Sequence, residues 1–208
     1  MELPIFTYTG KQTERKATLD DAVFGIAPNE HAVYLDVKHF RANQRQGTHK
    51  AKERSEIKAS TRKIQKQKGT GNARKGDAKS NIMRGGARTF GPKPRDYGFK
   101  LNKKQKKLAR KSVLSYKAQN KQIQILEDFV WEQPKTKSYV KMLENLSLQG
   151  KKTLLILPQP EKNIRLASRN LPKTWITTAV QINTYQLLNT DQILISEKSL
   201  SLIHENLK

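Results

Sequence analysis

Hydrophobic and polar positions follow two different rhythms along this chain, with a long stretch between them that has neither. Leu3 to Tyr8 forms a short strand pattern, a turn follows at Gly10-Lys11, and a return strand runs from Lys16 to Leu19. Val33, Val37 and Phe40 then recur at helical spacing behind Asn29, which predicts a helix with Asn29 as N-cap. A second helix is predicted behind Asn102, with Ala109, Val113 and Tyr116 on one face and lysines on the other. From there strands and helices alternate. Gln122 to Leu126 reads as a strand, and Tyr139, Val140, Leu143 and Leu146 as a helix face. Thr153 to Leu157 is a wholly apolar strand ended by Pro158 and Pro160, followed by a short helix around Ile164 to Ala167. Thr174 to Thr177 is a further strand, Asn183 caps a helix through Leu187 and Leu188, and Gln192 to Ser196 is the last strand. Ser196 is placed to cap a closing helix bearing Leu200, Ile203 and Leu207. Alternation of this kind, with continuously apolar strands, predicts an α/β fold: a mostly parallel sheet covered by helices.

Between the first two helices the pattern stops. From 41 to 98 the large apolar residues are Ile57, Ile64, Ile82, Met83, Phe90 and Tyr97, too irregular to line a helix or a strand, and glycines are frequent. Such a segment cannot offset its chain entropy by burying apolar surface, so by itself it is expected to be disordered and to be ordered by a rigid partner. The predicted organisation is a globular α/β body formed by 1–40 and 99–208, carrying a long basic non-globular loop, an arm at 41–98, inserted between two helices. The arm's 58 residues, doubled back on themselves, can span at most roughly 90 Å.

Charge sharpens this division. The chain has 208 residues and a formal net charge of +23. From Arg41 to Ser112 stand 24 Lys and Arg against four acids, Glu53, Glu56, Asp77 and Asp96, while the remainder holds 17 basic and 14 acidic residues. An excess this large and this localised destabilises a compact state by self-repulsion, so its counterweight is a polyanion. A membrane surface fits less well than nucleic acid. No apolar run approaches the ~18 residues that span a bilayer, and Met1-Glu2-Leu3-Pro4 lacks the pattern of a signal peptide. With no cysteine, disulfides and thiolate metal sites are excluded. The expected location is the cytoplasm.

An open α/β sheet can also bind nucleotides, and two glycine phrases bear on that possibility. Gly69-Thr70-Gly71-Asn72-Ala73-Arg74 begins like a dinucleotide fingerprint but has Arg74 in place of the third glycine. Gly71 and Gly76 have P-loop separation, yet Asp77 and Ala78 stand where Lys and Ser or Thr belong. Neither follows an apolar strand. His31 and His39 lie two helical turns apart, too far to share a metal without a third ligand. His49 stands in the arm within reach of RNA. No catalytic residue, metal or cofactor is expected.

Three phrases of the arm are more specific than its charge: Arg45-Gln46-Gly47-Thr48, then Lys66-Gln67-Lys68-Gly69-Thr70-Gly71-Asn72-Ala73-Arg74, then Arg84 through Tyr97 with Gly85, Gly86, Arg88, Phe90, Lys93 and Arg95. Leu101-Asn102-Lys103-Lys104 follows, and further on Gln133-Pro134-Lys135-Thr136-Lys137 and Leu166-Ala167-Ser168-Arg169-Asn170-Leu171. In this order the phrases closely resemble the family of bacterial large-subunit ribosomal protein L-four, over essentially the whole chain. The resemblance implies a structural, non-enzymatic ribosomal protein that binds 23S rRNA early in assembly. Its arm would line the peptide exit tunnel, meeting ribosomal protein L-twenty-two at the constriction and the nascent peptide within it, while the body touches other large-subunit proteins. The rRNA-binding residues carried over are those phrases' Arg45, Gln46, Gly47, Thr48, Lys66, Lys68, Gly69, Thr70, Gly71, Arg74, Arg84, Gly85, Gly86, Arg88, Phe90, Lys93, Arg95, Tyr97, Lys103 and Lys104, with Lys63, Lys75 and Lys79 beside them. Gln65, Lys68, Gly69 and Gly71 match the tunnel tip. Where the family often has Trp before Gly-Thr-Gly this chain has Ile64-Gln65-Lys66, and where it often has Arg this chain has Asn72. Chemically, glycines let a backbone approach phosphate, Lys and Arg neutralise it, and Phe90 and Tyr97 are candidates to stack on unpaired bases, or else to form a local cluster with Pro92 and Pro94. Two other classes remain open at this point: a free regulatory RNA-binding protein, and a basic nuclease or RNA-modifying enzyme, for which the arm offers only the widely spaced Asp77 and Asp96 as metal ligands.

Overall fold

The computed structural model describes residues 1–207, which divide into two compact units, 1–41 with 100–207, and Ala42–Phe99. In the first unit the described residues form six strands and seven helices. β1 (Glu2–Phe6) and β2 (Gln12–Thr18) make an antiparallel hairpin whose turn is closed by the Thr7 N–H on the Lys11 carbonyl at 2.9 Å. Then come α1 (Asp21–Phe24), α2 (Glu30–Asn43), α3 (Lys103–Gln119), β3 (Ile123–Leu126), α4 (Thr136–Asn145), β4 (Thr153–Leu157), α5 (Lys162–Ser168), β5 (Thr174–Thr178), α6 (Thr184–Asn189), β6 (Gln192–Ser196) and α7 (Glu197–Leu207). The sheet order is β2-β1-β3-β6-β4-β5, and every pairing beyond the hairpin is parallel.

The apolar strands show why helices must cover both faces. Successive side chains of a strand point to opposite sides. Leu154, Ile156, Ile193, Ile195, Ile123 and Ile125 accordingly enter one buried cluster with Phe24 of α1, Val113 and Leu114 of α3, Leu187 of α6 and Ile203 of α7. Leu155, Leu157, Leu194 and Leu126 enter the other, with Tyr139, Met142 and Leu143 of α4 and Ile164 and Ala167 of α5. β4 is buried along its whole length because it sits between β6 and β5 with helices on both sides.

Several expectations need correction. Asn29 and Asn183 do cap their helices, accepting the N–H of Ala32 at 2.9 Å and of Gln186 at 2.7 Å. Asn102 precedes α3 but its side chain makes no capping bond, and the Ser196 hydroxyl pairs with that of Ser199 at 2.7 Å. Tyr116 is exposed. α3 instead buries Ala109, Ser112, Val113, Leu114, Ser115, Lys117 and Ala118, since it is packed against α1 and α6 together and so needs a wider face than an apolar stripe marks. The serines fit there because their hydroxyls find backbone acceptors, Ser112 on Leu108 and Ser115 on Ile26. The short α1, capped by Asp20 through the Ala22 N–H at 2.9 Å, is a single turn without periodicity, so no sequence pattern marks it.

Candidate nucleic-acid interface

Residues 44–102 contain no regular helix or strand, but composition conceals a framework within them. Backbone bonds tie the two legs of the segment together: Arg95 N–H to Gly47 at 3.2 Å, Ala51 N–H to Pro92 at 3.0 Å, Arg88 N–H to Lys52 at 3.1 Å, and Ile64 N–H to Gly76 at 3.0 Å. Consecutive turns run from Asp77 to Gly86, closed by the Ala87 N–H on the Lys79 carbonyl at 3.1 Å, and Ala87 is buried among them. Sequence patterning misses such a framework because it rests on backbone groups and turns, which leave no apolar period.

The four acids are absorbed into this framework. Asp77 accepts from Arg54 across the legs at 2.8 Å, Glu53 pairs with Lys93, and Glu56 with Lys50. The Lys50 hydrogen bond, with the Glu53 N–H, holds the Glu56 carboxyl below its usual range, and the Glu53 hydrogen bond raises the Lys93 ammonium. Asp96 accepts the Gly98 N–H at 2.8 Å. Asp77 and Asp96, the candidate metal ligands of a nuclease, are thus each engaged locally, and the described residues hold no group of three or more His, Asp or Glu able to bind a metal.

The predicted site residues separate into four places. At the base, the Arg45 and Arg95 guanidinium groups lie 3.6 and 4.5 Å from the Tyr97 ring centre, and the Tyr97 hydroxyl is 3.0 Å from His49 Nε2. Tyr97 is thereby already engaged locally, by two Arg side chains and a His. Gln46 and Thr48 adjoin Arg45 and His49 in the chain, Arg88 and Lys93 precede Arg95 on the returning leg, and Phe90 is fully exposed. Beyond the Ile64–Gly76 bond, Lys66, Lys68, Gly69, Thr70, Gly71, Arg74 and Lys75 are all exposed, Lys63 bonds Gln67, and Gln65 is half-buried. Gly69, Gly71 and Gly85 hold φ of +83°, +66° and +78° with open space around them. Arg84 is exposed beside Gly85, and Lys79 is half-buried. Gly86 is different. A Cβ there would stand 1.9 Å from the Ser80 carbonyl oxygen, so its glycine serves the turn and not an approach to phosphate. Lys103 and Lys104 belong to the first unit, in the first turn of α3, which carries no acid. Cations at a helix N-terminus oppose its dipole, so these lysines are placed against helix stability and suit an external anion.

A framework of scattered backbone bonds without a core opens locally at little cost. In the free protein, brief trypsin treatment should therefore cut within 45–95 first, leaving the two pieces of the α/β unit, about 1–45 and 95–208, as separate uncut bands on a denaturing gel, and bound RNA should suppress those cuts. Arm sites as slow as those of the sheet unit without RNA would contradict this.

The model of the ribosomal protein L4/L1 family matches residues 17–206. The chain belongs to that family. Among its relatives, the large ribosomal subunit protein uL4 of Amoebophilus asiaticus is 64% identical over 99% of this chain and 98% of its own length. The protein of the same name from Parabacteroides distasonis is 54% identical over the full length of both, and that of Christiangramia forsetii 55% identical, again over both whole chains. As a member of the L4 family the chain is a ribosomal protein, located with the ribosome in the cytoplasm. No described helix is long and apolar enough to cross a membrane.

Proposed function

We propose that this L4-family chain is a non-enzymatic structural constituent of the large ribosomal subunit, binding 23S rRNA early in assembly through the basic segment 41–98 and the first turn of α3. The observation that carries the reading is the fate of the acids. Three of the four in the segment are paired to Arg54, Lys50 and Lys93 and the fourth binds a backbone N–H, so the cationic excess faces outward uncompensated. Phosphates are the counter-charge that such a surface fits, and they position the chain while exposed rings and glycines meet bases and backbone. Residues 41–98 act as an arm that crosses rRNA and lines the peptide exit tunnel. Gln65, Lys68, Gly69 and Gly71 lie at its tip, where ribosomal protein L-twenty-two and the nascent peptide are the neighbours. The names of the relatives, all large-subunit proteins, support the assignment to that particle.

In cells, a tagged chain should sediment with large subunits and their precursors in stoichiometric amount. Chemical footprints on 23S rRNA should appear at early precursors when the chain is supplied. A predominantly free pool would favour a regulatory RNA-binding protein, and magnesium-dependent cleavage of naked RNA would favour the nuclease reading.

A further inference from the structure

The second unit contains a cavity of about 370 Å³ lined by His49, Phe90, Pro92, Lys93, Arg95 and Tyr97, a size in the range that holds small organic ligands. Its walls include four rings: a phenyl, an imidazole, a phenol and a pyrrolidine. The Tyr97 ring is fixed from several sides, by its hydroxyl's 3.0 Å bond to His49 and by the two guanidinium groups over its face. Phe90 contrasts with it. Its ring is fully exposed and its backbone holds φ +50°, a conformation bulky residues rarely adopt. No burial rewards that conformation in the protein alone, and strain of this kind, held by surrounding structure, marks ligand clamps. The neighbouring backbone bonds from Ala51 to Pro92 and from Arg88 to Lys52 hold it from both sides.

The cations are unequal. Lys93 is paired with Glu53, whereas no carboxylate among the described residues lies within ion-pair distance of Arg95. A ligand suited to this cavity therefore has a flat aromatic part for Phe90 and Pro92 and one anionic group for Arg95. We infer that the cavity takes a single unpaired RNA nucleotide, its base stacked on Phe90 and its phosphate on Arg95. This rests on the rRNA-binding reading above and adds that the contact discriminates a base from a bare backbone. An acidic peptide would satisfy Arg95 but leave the exposed phenyl ring unused.

The test uses the full chain and two RNA hairpins with equal phosphate counts, one carrying a single bulged 2-aminopurine and the other an abasic residue at the same bulge. The base-bearing hairpin should bind roughly tenfold more tightly, as stacking on an aromatic side chain provides, with quenching of 2-aminopurine fluorescence. Phe90→Ala should erase that preference while leaving abasic-hairpin affinity within about twofold, and Phe90→Trp should restore it. Phe90 buries nothing, so these variants fold. Equal binding of both hairpins by the unmodified chain would overturn the nucleotide pocket while leaving RNA binding intact. So would an equal loss on both in Phe90→Ala. If neither hairpin bound, the RNA-binding reading would fall and the pocket with it.

Discussion

Affinity of the chain for a large-subunit rRNA fragment should fall by roughly 10³–10⁵ between 50 and 200 mM salt. The magnitude follows from counter-ion release. Each neutralised phosphate frees condensed cations, and six to ten such contacts give a loss of this order, using a slope established on duplex DNA. The segment has more than enough candidates: 24 Lys and Arg lie between Arg41 and Ser112, and Arg54, Lys50 and Lys93 are its three members paired to acids. Lys103, Lys104, Lys106 and Lys107, at the start of α3, are among these 24. Titration of fluorescent rRNA across a salt series measures the slope directly. Replacing Lys66, Lys68, Arg74 and Lys75 by Gln should reduce it by up to about four contacts' worth, without altering the melting of the α/β unit. An affinity nearly independent of salt would show that the basic segment is not the binding surface.

Gly71→Asp should leave the melting temperature of the free protein within about 2 °C of the parent yet perturb the ribosomal exit tunnel. Gly71 has φ +66° and nothing within 4 Å of the point where a β-carbon would stand, so the new side chain meets no steric obstacle in the free chain. The left-handed backbone adds local strain of about 1 kcal/mol, which Asp tolerates better than most residues, and that strain lies outside the sheet unit whose core sets the melting. Against RNA the same side chain places a carboxylate beside phosphate, and like charges brought together at an interface cost several kcal/mol. A companion deletion follows from the backbone bonds of the legs. The Ile64 N–H bonds the Gly76 carbonyl at 3.0 Å, so residues 65–75 can be replaced by an Asn-Gly turn without spreading the legs. Cutting farther back would remove the Asp77–Arg54 ion pair and the Lys79–Ala87 bond that hold the framework. Ribosomes carrying either change should show altered macrolide binding and altered rRNA footprints at the constriction. If both readouts were unchanged, the tunnel assignment would have to be abandoned.

The sheet unit is legible in the sequence because burial leaves a period in the residues that experience it. Thr153–Leu157 and Gln192–Ser196 can be bounded from sequence, since strands covered on both faces are continuously apolar and their ends meet polar or proline residues. The caps are less legible. Asn102 and Ser196 occupy the right positions, but whether a side chain turns to the helix N-terminus depends on its other neighbours, as the Ser196–Ser199 hydroxyl pair illustrates. The wide buried face of α3 depends likewise on α1 and α6 packing against it, which no local pattern records.

For the candidate interface, sequence alone pointed to a polyanion as the fitting partner, because net charge and its concentration between 41 and 112 are properties of composition, and long-range electrostatics needs no detailed geometry. It determined also the family, through phrases whose order is a linear property. Only the tertiary structure decided what individual residues do within that segment. Glu53, Glu56 and Asp77 look in the sequence like dilution of the charge; folded, they are the ties of the framework, because ion pairing depends on distance in space and not along the chain. Gly71 and Gly86 are indistinguishable as letters, yet one has open space and a left-handed backbone while the other abuts the Ser80 carbonyl. Phe90 and Tyr97, alike as candidate stacking residues, are separated by their surroundings: Tyr97 is held by Arg45, Arg95 and His49, and Phe90 alone presents a free ring, since stacking capacity belongs to an exposed face and exposure is fixed only when the legs come together.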